Sequence, residues 1–97
     1  MLTFRKIEQP YDLKYHNEPM GNLVLMWKYA NPPHCLDTFL IEYSPSGRID
    51  DFQLMESSQS VNNFHILKTK ANGWYRICAK NFFEHMGPYS VSLHIRL

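Results

Sequence analysis

Three groups of side chains in the 97-residue sequence are of types that do chemistry. His34 and Cys35 are a base beside a thiol, the pair that generates a thiolate nucleophile. Asp50 and Asp51 are adjacent carboxylates, the groups that act as acid and base in hydrolysis. His16, His34, His65, His85 and His94, with Cys35 and Cys78, are of metal-ligating types. Spacing argues against each group. Neighbouring residues on an extended chain point apart, and no third residue orients His34. No second acidic cluster lies near Asp50 and Asp51 in the sequence. No two histidines have zinc-ligand separation, and no paired cysteines accompany them. Gly47 stands alone in its turn, so there is no glycine-rich phosphate loop. The expectation is no catalytic residue, no metal ligand and no cofactor site, and a protein that is not an enzyme.

Composition bounds the partners. The apolar share is 44% and the charged share 20%, the balance of an ordinary globular chain of one domain. A net charge of +1 gives no electrostatic case for nucleic acid. No apolar run approaches the roughly 20 residues that span a bilayer, so membrane insertion is not expected. Met1-Leu2-Thr3-Phe4-Arg5-Lys6 lacks the long apolar segment of a signal peptide. Cys35 and Cys78 are read as free thiols, and no Asn-x-Ser/Thr acceptor is present. Both features tilt the expected compartment towards the cytoplasm or nucleus, with an extracellular setting left open.

The element that would position any site is Trp74 to Asn81. Tyr75, Ile77 and Ala79 alternate with Trp74, Arg76, Cys78 and Lys80, a period of two over an aromatic and β-branched run. Such a segment is a half-buried strand, here the central one. Six more strands are expected around it: Tyr11 to Tyr15, Asn22 to Tyr29, Asp37 to Tyr43, Phe52 to Glu56, Phe64 to Leu67 and Tyr89 to Ile95. Pro10 places the first on a sheet edge. Leu23, Leu25 and Trp27 share the inward face of the second, with Trp27 at the centre of the core. Asn31-Pro32-Pro33 ends that strand by removing ladder donors. Val91, Leu93 and Ile95 share one face of the last. Residues 1–8 are a leader or linker, and residues 9–97 form the domain. No segment carries a helical apolar stripe. The fold class is all-β, a seven-stranded Greek-key sandwich of immunoglobulin-like type.

These residues resemble a fibronectin type III domain over about Gln9 to Ile95. The resemblance rests on Pro10 with Leu13, Leu25-Met26-Trp27 with Pro32 and Pro33, Phe39 to Tyr43, Leu67, Tyr75 to Asn81, and Gly87-Pro88-Tyr89-Ser90. Two features depart from it. The corner tyrosine of such domains lies six residues after the leucine of the fifth strand, and that count from Leu67 lands on Gly73. Trp74 or Tyr75 would replace it in a shifted register, or the corner bond would be missing. The last loop is also one residue longer than usual. Asn72-Gly73-Trp74-Tyr75 looks like an intracellular-type immunoglobulin strand too, but that family wants Cys where Ile77 stands.

The resemblance implies a module for protein contacts, a scaffold or adaptor within a larger protein. Its third and sixth strands would be neighbours, which brings Leu40 beside Trp74 and Arg76 on an outer face. Phe82, Phe83 and Met86 crowd one loop, where polar residues are the rule. Leu40, Trp74, Arg76, Phe82, Phe83 and Met86 are therefore the candidate partner-binding residues, for a protein partner. Monomer or weak self-association is expected. The alternative is a structural spacer in an intracellular scaffold or a cell-surface receptor.

Overall fold

The computed structural model describes residues 7–30, 35–58 and 62–97. The strands are β1 (Tyr11–Asn17), β2 (Leu23–Lys28), β3 (Leu36–Ser44), β4 (Gln53–Ser57), β5 (Phe64–Leu67), β6 (Gly73–Asn81) and β7 (Leu93–Ile95). One 3-10 turn, Ile49–Asp51, precedes β4. They form a three-stranded sheet in the order β1-β2-β5 and a four-stranded sheet in the order β4-β3-β6-β7. Every pairing is antiparallel. The protein is a β-sandwich of two sheets, with β6 inside the larger one.

The inward faces follow the period of two. Leu23, Leu25 and Trp27 from β2 meet Phe39 and Ile41 from β3, Tyr75, Ile77 and Ala79 from β6, and Ile95 from β7. Trp27 is 3% exposed and meets Phe39 edge-on, ring centroids 5.0 Å apart. Its indole N–H has no hydrogen-bond partner among the described residues, so Trp27 acts in the core by contact alone. Pro10 is buried at the head of β1, an edge strand as expected. Asp12 sits at φ 56° where the β1–β2 register shifts, and its carboxylate takes Lys28 at 3.3 Å and Lys14 at 3.6 Å.

The β5–β6 corner resolves the shifted register. Tyr75, fully buried, donates its hydroxyl hydrogen to the Ala71 carbonyl at 2.7 Å. Gly73 has φ 151°, and a Cβ there would fall 2.5 Å from the Tyr43 ring and 2.9 Å from the Ser44 carbonyl oxygen. Glycine is required by this close approach.

The last strand is shorter than the alternation implies. β7 begins at Leu93, not Tyr89. Ser90 takes the Ile77 N–H on its side-chain oxygen at 3.0 Å, while its own N–H bonds the Ile77 carbonyl at 2.7 Å. A hydroxyl thus stands where a ladder carbonyl would, and regular pairing stops. Val91 consequently turns out to solvent, 80% exposed, and does not share the core face with Ile95. The strand-ending Asn31-Pro32-Pro33, His34 and leader residues 1–6 lie outside the described residues. Ile7, by contrast, packs on the core, and the Glu8 N–H donates to the Tyr29 hydroxyl at 3.1 Å.

Candidate functional site

The outer face of the four-stranded sheet gathers three of the six candidate residues. Strand register sets Glu42 against Arg76, Leu40 against Cys78 and Ser44 against Trp74. Arg76 donates from Nε and Nη2 to one Glu42 oxygen at 2.8 and 2.6 Å. The other Glu42 oxygen accepts the Tyr89 hydroxyl at 2.8 Å. The guanidinium carbon lies 4.3 Å from the Phe52 ring centroid and 4.0 Å from that of Tyr89. A charge-assisted pair set among two aromatic rings is well held and largely desolvated. Burial, then the bond to Glu42, raises the Tyr89 pKa well above its ordinary range, so it remains a donor. Arg76 is therefore engaged by its own sheet.

Trp74 and Leu40 are also partly covered. The His94 ring stacks on Trp74 at 4.4 Å with 6° between planes. Gly47 lies so close over the indole that a Cβ there would fall 2.7 Å from its Nε1. Cys78 faces outward as expected, yet it is fully buried among Leu40 and the Tyr89 hydroxyl. Burial pushes its thiol up to about 11, so it is inert as a nucleophile at neutral pH.

The other three candidates form the tip of the loop after β6. Phe82, Phe83 and Met86 are 65%, 68% and 56% exposed. The backbone beneath them is tied at several points. The Asn81 side-chain oxygen accepts the N–H groups of Phe83 at 2.9 Å and His85 at 3.0 Å. The Phe82 N–H reaches the Cys35 carbonyl at 2.9 Å, and the Gly87 N–H reaches the Ala79 carbonyl at 2.9 Å. Glu84 takes φ 65° at the turn. Lys80 bonds Asp37 and Glu84, both at 3.0 Å, and these bonds raise its pKa. The loop is a built hairpin tip that holds three apolar side chains in water.

Of the groups read first for chemistry, Asp50, Asp51 and His65 have structural partners. Asp51 accepts from the Ser46 hydroxyl at 2.8 Å and the Ser44 hydroxyl at 3.3 Å, closing the turn before the 3-10 segment. Asp50 pairs with Arg48 at 3.5 Å. His65 bonds Glu56 at 2.8 Å across the open edge between β5 and β4. Among the described residues no three His, Cys, Asp or Glu side chains stand together as a metal site. Sequence reasoning set Val24 and Met26 outward on the other sheet but missed the β5 half of that apolar surface. Phe64 and Ile66 of β5 register with Met26 and Val24 of β2 on the outer face of the smaller sheet. Running the period of two back from buried Leu67 would have found it, because it sets Ile66 and Phe64 outward.

The family model of the α-L-iduronidase C-terminal domain, a glycoside hydrolase family 39 grouping, matches residues 12–96. The chain belongs to that family. No curated protein matches it. The fibronectin type III resemblance is thereby corrected. A ring on β2 and alternation on β6 are what two packed sheets require, so those residues reported the architecture and not the family. The expectation of a protein that is not an enzyme falls with it, as do the scaffold and adaptor readings: an iduronidase C-terminal domain points to a glycosidase-related protein. The spacing of reacting groups in 97 residues speaks for those residues alone.

Proposed function

We propose that this domain serves a glycoside hydrolase polypeptide as its protein-contact module, with Phe82, Phe83 and Met86 as the anchoring side chains. The observation that carries this is the pairing of exposure with rigidity. Exposed apolar groups on a loose loop lose entropy when they bind, whereas a tip tied by Asn81 and Gly87 has already been ordered by folding. Large exposed apolar side chains grouped on a fixed frame are typical of interface hot spots. Leu40, Trp74 and Arg76 belong to a sheet face held by its own contacts and are left out of this contact surface. We also infer Greek-key connectivity of immunoglobulin type, which the order β1-β2-β5 and β4-β3-β6-β7 supports.

The test is Phe82→Ser/Phe83→Ser in the intact polypeptide, followed by calorimetry. The two rings are exposed, so the sandwich's own stability should change by under about 0.5 kcal/mol. Loss of the contact should weaken coupling to the partner surface by about 2 kcal/mol, separating the sandwich's transition from that of its partner. An unchanged profile contradicts the proposal. So does unfolding of the sandwich itself, which would make both rings core.

A further inference from the structure

We infer that the hairpin tip docks in cis, on the part of its own polypeptide that precedes this domain. This rests on the tip being a contact surface, and it names the partner. The chain enters the sandwich beside the tip. Ile7 packs so tightly on Gly87, the residue after Met86, that a Cβ at Gly87 would overlap the Ile7 side chain. The next two residues hold that path: the Glu8 N–H bonds the Tyr29 hydroxyl, and the Gln9 amide bonds the Tyr89 carbonyl at 2.7 Å. Leu97 lies at the opposite end of the sandwich, its N–H on the Asn72 side chain at 2.6 Å. Residues 7–9 therefore run beside the tip, and Leu97 lies away from it.

A family of C-terminal domains supplies upstream chain as the natural occupant. A surface tethered within a few residues of the tip meets it at high effective concentration, with no dependence on protein concentration. The socket it must offer is apolar, sized for two phenyl rings and a thioether. Lys80 is already engaged by Asp37 and Glu84, which leaves the contact to these apolar groups.

The experiment places a photoreactive p-benzoylphenylalanine at Phe83 in the intact polypeptide, with the same group at Ile49 as control. Ile49 is exposed in the turn after β3, at the far end of the sandwich from the tip. Docking in cis predicts a cross-link within one chain, to peptides upstream of Ile7, in about ten-fold greater yield from position 83 than from 49. Adducts of doubled mass, or adducts to another protein, would overturn docking in cis while leaving the tip a contact surface. No adduct from position 83 would overturn both. Met86→Lys gives a second readout that avoids the aromatic pair: free rotation of the domain, seen as faster fluorescence depolarisation of a probe at Ile49, supports the docking, and an unchanged rate opposes it.

Discussion

Removing the Arg76 guanidinium leaves a largely covered Glu42 carboxylate with the Tyr89 hydroxyl as its one remaining side-chain partner among the described residues. Uncompensated charge in such a place is costly, so Arg76→Ala should destabilise the domain by about 2–3 kcal/mol in urea unfolding. A change below about 0.5 kcal/mol would show that the pair is solvated and contributes little. Tyr75→Phe tests the corner alone. It removes the bond to Ala71 and leaves the ring in place, and about 1 kcal/mol should be lost. The Glu42 partnership was not legible in the sequence, whereas Tyr75 was one of the two residues expected to supply the corner. Tyr89 lies 47 residues from Glu42, and only the strand topology brings them together. The corner tyrosine was sought by counting from Leu67, but what defines it is the reach of a hydroxyl to a carbonyl four residues upstream.

Glu56 joins elements that no ladder joins. From β4 it accepts His65 of β5 at 2.8 Å and the N–H groups of Lys68 and Thr69, each at 3.0 Å from its nearer oxygen. Burial alone would raise its pKa; the bonds from His65, Thr69 and Lys68 outweigh burial and hold it below the ordinary 4.5. A carboxyl depressed in the folded state stabilises fully above its unfolded pKa, and that contribution is lost as pH falls through the folded value. Unfolding measured from pH 6 down to pH 2 should therefore show an acid limb below about 4.5 that Glu56→Gln flattens. An unchanged limb would assign acid sensitivity elsewhere. Gly73→Ala should weaken the β5–β6 corner by about 1–3 kcal/mol, because the Tyr43 ring and Ser44 carbonyl already fill the space. A neutral result would mean that Tyr43 yields freely. At this scale the sequence was informative wherever alternation ran unbroken, as in β2, β3 and β6. It failed where a side chain replaced a ladder group, at Ser90, and where a short strand such as β5 was not assigned its faces.

The whole molecule has two unlike ends. One bears the incoming chain at Ile7 to Gln9 and the apolar tip; the other bears the glycine corner, Asn72 and Leu97. The cluster Phe82, Phe83 and Met86 stood out from composition alone, because three large apolar residues in a loop need a reason. Its rigidity did not, since that depends on Asn81 reaching forward to two amides and on Cys35 arriving from another loop. Nor did the family, because architecture constrains residue types more broadly than ancestry does. The account turns on whether the tip is covered in the intact polypeptide. Methionine oxidation measures that directly, with Met20 as an internal reference. Exposures of 56% for Met86 and 89% for Met20 would by themselves give a difference in rate of under about two-fold. A covered tip predicts sulfoxide forming at Met86 about ten-fold more slowly than at Met20; matching rates at the two sites would contradict it.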